Sequence, residues 1–416
     1  MTEKDTAAIR DEDTAGTAGT EDTAGTEDTA GTEGEAGAAG SRRRRRGIAW
    51  ALTAATLTGA LLGAGAVGWR TGTLPFQDDR PCWGALSDET LDTVLAHGDR
   101  RPRPEGRREV EEQKLLGPGW SARCRVLVHS GEEHRQDKVV ARLDVSVRTL
   151  DSRQGRDAQA WTAEFLSPEA TPLGGGLRGT ASRSRAWLAL PQGCVDGQDP
   201  VVVEARIGAQ DAGVFVPSSR RYGLTRAVVE TANGLMGAYG CAGRHRVPEP
   251  PPALEESEER EREKKRDRAA ATALCGLAGA PVPDKHVRAL RAAARNWVDG
   301  GPVRVCGDDR PEADLHVRLM TVTDPALARI FERDASHGGP HVDGDPGHGT
   351  LTADRAVYTS RCQTGDVAFV VEWTPRYGFG RYGSDWTFVR DVFPLYVAAE
   401  ADRLGCGPQK VTVPRT

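Results

Sequence analysis

The chain has 416 residues, 38% of them hydrophobic, and a net charge of −5, which is typical of globular material and enough for two or three domains. The charge is uneven, because residues 1–40 carry eleven acids and two bases, a net −9, and Arg42 to Arg46 add +5, which leaves −1 for the rest. A nearly neutral main body argues against nucleic acid as a partner, since phosphate binding requires a basic face.

Residues 1–46 are predicted to form a disordered acidic tail that ends in five arginines. The tail repeats EDTAGT and contains no aromatic residue, so it has almost nothing to bury. Two interpretations stay open. Its threonines are flanked by acids, which suits phosphorylation and capture by a partner, or the tail is a solvated low-complexity segment with no specific reader.

Residues 47–69 are predicted to be a transmembrane helix, because Ile48 to Trp69 contains no charge over 22 residues. A helix of that length covers about 33 Å, enough to cross a hydrocarbon core of about 30 Å. The five arginines place the N-terminus in the cytoplasm and residues 70–416 outside. The alternative is a cleaved signal peptide with an A-x-A site at Ala64-Gly65-Ala66, but the apolar run is longer than a signal core, which favours an anchor.

An internal duplication organises the exported part. ARLDVSVRTL from Ala141 aligns with ADLHVRLMTV from Ala313, and both place apolar residues at alternate positions, the period of a strand with one buried face. CVDGQDPVVVE from Cys194 likewise matches CQTGDVAFVVE from Cys362. Each copy is predicted to run helix, two strands, short helix, two strands, helix, where Asp284 caps the opening helix of the second copy and Trp297 lies on its buried face.

The predicted fold class is therefore α+β, with two tandem duplicated domains that have mainly antiparallel sheets. The first copy covers residues 70–243 and the second covers 273–416. Between them, residues 244–272 change from proline-rich to highly charged, which predicts an exposed helical linker with i,i+4 pairs of acids and bases.

Eight cysteines, none before residue 82, all lie on the predicted outer side of the membrane, which indicates an oxidising compartment. Four fall in each copy at equivalent places. Restricting bonds to one copy, with the same pattern in both, leaves three pairings. The favoured pairing joins the opening helix and the closing helix of each copy to its sheet. It comprises Cys82–Cys124, Cys194–Cys241, Cys275–Cys306 and Cys362–Cys406.

A histidine-rich loop, SHGGPHVDGDPGHGT from Ser336, is the weak candidate for a metal site. Imidazoles and carboxylates this close can hold zinc or another divalent ion, but the spacing lacks a helical i,i+4 His pair, and a flexible polar hairpin is the favoured interpretation. The candidate ligands are His337, His341, Asp343, Asp345 and His348.

An aromatic segment, WTPRYGFGRYGSDWTF from Trp373, is the candidate ligand-binding site. Exposed aromatic rings beside arginines suit stacking on sugars or a protein interface, and the alternative is a loop whose aromatics cover a small sheet. The candidate residues are Trp373, Arg376, Tyr377, Phe379, Arg381, Tyr382 and Trp386.

The stretches PCWGALSDETLDTVL and WSARCRVLV resemble the opening of exported or membrane-anchored, sensor-like domains of unknown function from high-GC Gram-positive bacteria. The chain departs from the lipid-linked members by lacking their attachment cysteine. The resemblance implies extracytoplasmic binding or sensing and carries over no catalytic residues.

The sequence thus predicts a single-pass cell-membrane protein that binds or senses at the envelope, with the cell wall or an envelope protein as its ligand. It contains no G-x-S-x-G, H-E-x-x-H, P-loop or dinucleotide motif, so catalysis is disfavoured and no cofactor is predicted. Two alternatives stay open: an envelope hydrolase that uses the His337–His348 loop, and a structural spacer.

Overall fold

The structure is a computed structural model. It describes residues 80–95, 107–113, 121–129, 139–151, 162, 165–194, 199–208, 218–249, 273–277, 280–287, 290, 297–298, 301–308, 315–375 and 387–414. All of them belong to the unit that spans residues 72–416. The predicted tail, the predicted membrane span and most of the linker lie outside these residues. Among the helices that are described, none is both long and apolar enough to cross a membrane.

The described part of the first copy contains an antiparallel sheet and includes the helices α1 (Asp88–Leu95) and α2 (Ser218–Ala238). Its strands are β1 (Arg108–Glu112), β2 (Ser121–His129), β3 (Val139–Thr149), β4 (Thr171–Pro172), β5 (Gly179–Ala181), β6 (Arg185–Ala189) and β7 (Val201–Ile207). The strands are arranged in the order β1-β2-β3-β7-β6-β5-β4.

The second copy has the same plan. Its strands are β8 (Trp297–Val298), β9 (Val303–Asp308), β10 (Leu315–Val322), β11 (His341–Asp345), β12 (His348–Leu351), β13 (Arg355–Cys362), β14 (Gly365–Pro375) and β15 (Lys410–Thr412). Its helices are α3 (Pro325–Ala328), α4 (Glu332–His337) and α5 (Phe388–Leu404), with a 3₁₀ turn at Arg329–Phe331 between α3 and α4. Asp324 caps α3 by accepting hydrogen bonds from the backbone N–H groups of Ala326 and Leu327.

Strand order confirms the duplication. Read from β8, the second sheet runs β8-β9-β10-β14-β13-β12-β11 and then adds β15, which is the path of the first sheet strand for strand. The first pair of aligned sequence segments forms β3 and β10. β3 pairs with β7 and β10 pairs with β14, and β7 and β14 lie in the aligned segments that begin at Cys194 and Cys362. The predicted strand count was too low, because three strands precede the short helical region and four follow it.

Local backbone geometry is repeated as well. Cys82 and Cys275 both adopt left-handed conformations, at φ 59° and 53°. Gly240 and Gly405 also have positive φ, and the cysteine after each donates its N–H to a carbonyl five residues back. This is the Schellman arrangement, which favours glycine because L side chains are strained there. The Gly-Cys pairs therefore end α2 and α5 in the same way.

The four disulfides form with the favoured pairing, and no described cysteine is free. In the first copy Cys82–Cys124 joins the turn before α1 to β2, and Cys194–Cys241 joins the loop after β6 to the end of α2. In the second copy the corresponding bonds reach β9 and β13. Four disulfides indicate an oxidising, extracytoplasmic environment.

The opening helix predicted for the second copy is wrong in part. Asp284–His286 is a 3₁₀ turn whose N-cap position is Pro283, and no side-chain hydrogen bond caps it. Trp297 begins β8 instead of continuing a helical face. β-Strand pairing with β9 therefore overrides the helical spacing of the sequence.

Each sheet buries one face against its own helices. In the first copy α1 and α2 cover alternate residues of β2, β3 and β7, such as Val145 and Val203, both fully buried. In the second copy α5 covers the corresponding face, where Leu319 and Phe369 are fully buried.

The opposite faces of the two sheets share a third core. Leu150, Trp187 and Val202 of the first copy cluster there with Met320, Val370 and Phe331 of the second. Trp187 donates its indole N–H to the carbonyl of Phe165 at 2.9 Å, and the two rings pack edge to face. The two copies therefore bury apolar surface against each other instead of standing apart on a linker.

Candidate functional site

The polar face of the first sheet provides the candidate site. Residues directly opposite each other on paired strands project from the same face. Arg125 lies opposite Asp144, and Asp144 lies opposite Arg206. Two residues further along each strand, Arg123 lies opposite Ser146, and Ser146 lies opposite Glu204. Three neighbouring strands, β2, β3 and β7, thus carry charged side chains on the face that α1 and α2 leave uncovered.

These side chains line an open cleft of about 520 Å³, here called the arginine cleft. Its volume falls within the range of small-molecule sites. The lining comprises Gln113, Ser121, Ala122, Arg123, Arg142, Asp144, Ser146, Val147, Arg148, Arg185, Glu204, Arg206 and Gly208. Five arginines against two carboxylates give the lining a net charge of +3.

Three of the five arginines are held by the two carboxylates. Arg142 donates to Asp144 through Nε at 2.6 Å and through a second nitrogen at 2.8 Å. Arg148 and Arg185 both contact Glu204, at 3.2 and 2.8 Å. Glu204 is 6% exposed, so these two ion pairs fix the floor of the cleft.

Asp144 is held in its ionised form. Burial raises its pKa, but hydrogen bonds from Arg142 and Arg125 outweigh that effect and keep the pKa below its usual range. Asp144 therefore keeps its ion pairs with Arg142 and Arg125 at neutral pH.

Arg123 and Arg206 are the other two arginines of the lining. Both side chains are exposed, and neither forms an ion pair with any residue that the structure describes. Arginine presents a planar fork of donors that matches a carboxylate or a phosphate. The exposed arginines of the cleft therefore have the donor geometry that an oxyanion requires.

The equivalent glutamate of the second copy has no such opening. Glu372 aligns with Glu204, but it is 2% exposed, and Thr162 of the first copy donates a hydrogen bond to its carboxylate at 2.6 Å. Arg355 contacts Glu372 and also pairs with Asp334 at 2.8 Å. Burial lowers the pKa of Arg355, and Asp334 opposes that shift. The two copies have diverged: part of the first sheet's polar face is open as the arginine cleft, beside the core shared with the second copy, whereas Glu372 of the second sheet is sealed.

A small apolar cavity of about 10 Å³ lies in the shared core, among Leu150, Phe165, Trp187, Leu327 and Phe331. It has room for about one water molecule, and its apolar walls offer that molecule no partner. The arginine cleft is thus the candidate that has the size for a ligand.

The histidine-rich loop forms the β11–β12 hairpin, in which Asp343 lies opposite His348. His348 contacts Glu332 at 2.8 Å, while His337 and His341 are exposed. No group of three or more His, Cys, Asp or Glu side chains in the described part of the chain is placed to hold a metal ion. The structure therefore does not bring the five candidate ligands together.

The aromatic segment is described only at its start. Trp373 is 1% exposed, lies in the core beneath α5 and donates its indole N–H to the carbonyl of Ala353 at 2.6 Å. Its ring is not available to a ligand, which corrects its place among the candidates. The remaining candidates, Arg376, Tyr377, Phe379, Arg381, Tyr382 and Trp386, lie outside the described residues.

The comparisons with known proteins identify no family for this chain. No family model, no curated protein and no solved structure matches it. The arginine cleft was missed in the sequence because its side chains occupy the polar positions of β2, β3 and β7, which an alternating pattern assigns to solvent. The sequence signal that marks it is RLDVSVR, in which Arg142, Asp144 and Arg148 alternate with buried residues.

Proposed function

We propose that the protein is an extracytoplasmic binding or sensing protein of the cell envelope and that the arginine cleft is its ligand site. The observation that carries this proposal is an open cleft of about 520 Å³ whose floor carries ion pairs and whose lining includes Arg123 and Arg206, both exposed and without an ion pair to any described residue. Sites built on strands hold their side chains more firmly than sites built on loops. The bond between Cys82 and Cys124 adds a covalent tie to β2, which carries Arg123.

The proposed anchor is the span at residues 47–69, with residues 1–46 in the cytoplasm. The support is the run of five arginines next to 22 uncharged residues. A ligand site outside and an acidic, threonine-rich tail inside suit a sensor, because a sensor must transmit ligand binding on the outer side to a partner on the cytoplasmic side.

The aromatic segment remains a second proposed contact with the envelope. Tyr377, Tyr382 and Trp386 alternate with arginines and glycines, which suits stacking on wall sugars. This contact is independent of the arginine cleft, so the two can be tested separately.

Filling the cleft tests the proposal. Ser146 lies between Arg123 and Glu204 on the cleft floor, and Ser146→Trp places a large ring there without removing a charge. We expect ligands from a panel of sugars, amino acids, organic anions and short peptides to raise the melting temperature of the full-length protein in detergent. The Ser146→Trp variant should lose that rise.

The matched control is Thr412→Trp, which adds the same ring at an exposed position of β15 in the second copy. It should keep the ligand-induced rise. Circular dichroism checks that both variants fold. A panel ligand that stabilises the Ser146→Trp variant as much as the wild-type protein would contradict a ligand site in the cleft.

A further inference from the structure

We propose that the ligand of the arginine cleft is a small dianion, a phosphate monoester or a dicarboxylate, held by Arg123 and Arg206. This inference rests on the proposed function, because it names the chemical class of the ligand for that same site.

The charge of the cleft lining favours a dianion. Of the five arginines in the lining, three are neutralised in part by Asp144 and Glu204, and Arg123 and Arg206 have no ion pair with a described residue. A ligand with two negative charges matches the charge of these two guanidinium groups. A cationic ligand would meet a lining with a net charge of +3 and would be repelled.

The placement of Arg123 and Arg206 allows both to contact a single ligand. Arg123 lies on β2 and Arg206 on β7, and β3 runs between them. Two strand spacings and one step of two residues put their Cα atoms about 12 Å apart. The two side chains stand on the same face above Ser146 and Asp144, so their guanidinium groups can contact one ligand from opposite sides.

The size of the cleft favours a small ligand over a polyanion. About 520 Å³ suits a small molecule, whereas a polyanion such as a nucleic acid is bound along an extended basic surface. The rest of the chain beyond the arginine run is close to neutral. The dianion is therefore a discrete small molecule or a single charged end group.

The two sources of a dianion are separated by the choice of probes. Isothermal titration of the full-length protein in neutral detergent is carried out with glycerol 3-phosphate and with succinate, and glycerol is the neutral control. We expect one or both dianions to bind and glycerol not to bind. Raising the salt concentration should weaken the binding, because the arginines are exposed to solvent.

Charge-removing variants assign the site. We expect Arg123→Gln and Arg206→Gln each to weaken binding of the dianion about tenfold or more, since each removes a charged hydrogen-bond donor. Arg329→Gln removes an exposed arginine of the second copy and should leave binding unchanged. Ser146→Trp should abolish binding.

The outcomes separate this inference from the proposed function. If neither dianion binds the wild-type protein, or if dianions bind equally well to the Arg123→Gln and Arg206→Gln variants, the inference is overturned. If instead a neutral panel ligand binds and Ser146→Trp abolishes its binding, the cleft is a ligand site of another class, and only the proposed function stands.

Discussion

Replacing Arg355 by alanine is expected to lower the free energy of unfolding by about 3–5 kcal/mol. Arg355 is 6% exposed and joins Glu372 to Asp334, both 2% exposed. Its loss leaves Asp334 and Glu372 without their shared guanidinium, and Arg318 at 3.5 Å from Glu372 compensates only one of them. The two carboxylates then lie in an interior that gives them little solvation, and this cost exceeds the value of the ion pairs themselves. Urea unfolding followed by tryptophan fluorescence measures the change.

The matched control lies on the same strand. Arg361 pairs with Asp366, but its side chain is 83% exposed, so Arg361→Ala should change the free energy of unfolding by less than about 1 kcal/mol. A loss for Arg355→Ala that is no larger than this control would contradict a sealed ion cluster. Combining Arg355→Met with Glu372→Leu and Asp334→Leu should recover part of the loss, because apolar residues of similar size can replace a buried ion cluster.

Removing the bond between Cys82 and Cys124 is expected to cost about 4 kcal/mol. The two residues are 42 positions apart, and the chain-entropy model gives about 4 kcal/mol for a loop of that length. Both sulfurs are also fully buried in the first core, so the double variant Cys82→Ala, Cys124→Ala loses packing as well. The measurement is urea unfolding of the variant beside the wild-type protein.

The bond between Cys194 and Cys241 is the internal comparison. Its separation of 47 residues predicts nearly the same entropy, but both cysteines are only partly buried at the edge of that core. The double variant Cys194→Ala, Cys241→Ala should therefore cost no more than the first pair. A clearly larger loss for this second pair would contradict the packing contribution assigned to Cys82 and Cys124.

The duplication and the disulfide pairing could be predicted from the sequence for specific reasons. Apolar residues at every second position of β3 and β10 mark one buried face, and the equivalent cysteines reduce the possible pairings to three. The backbone geometry then supports the alignment of the two copies, since the equivalent residues Cys82 and Cys275 share a left-handed conformation. The short strands β4 and β5 could not be predicted, because segments of two or three residues carry no period.

The shared core and the arginine cleft depend on information that a single strand does not carry. Val201–Val203 is apolar at consecutive positions, which is typical of a strand buried on both faces, but the sequence does not say what covers the second face. Glu204 and Glu372 occupy equivalent positions in similar segments. Only the packing of Thr162 against Glu372 shows that one face is sealed while the other stays open.

A direct crystallographic test applies to the claim that the open part of the first sheet's polar face is a dianion site. Crystals of the protein soaked in tungstate, a dianion with a strong anomalous signal, are predicted to show a peak in the cleft. Its oxygen atoms should lie about 3 Å from the guanidinium nitrogens of Arg123 and Arg206. An empty cleft in crystals that bind tungstate elsewhere on the protein would contradict the claim.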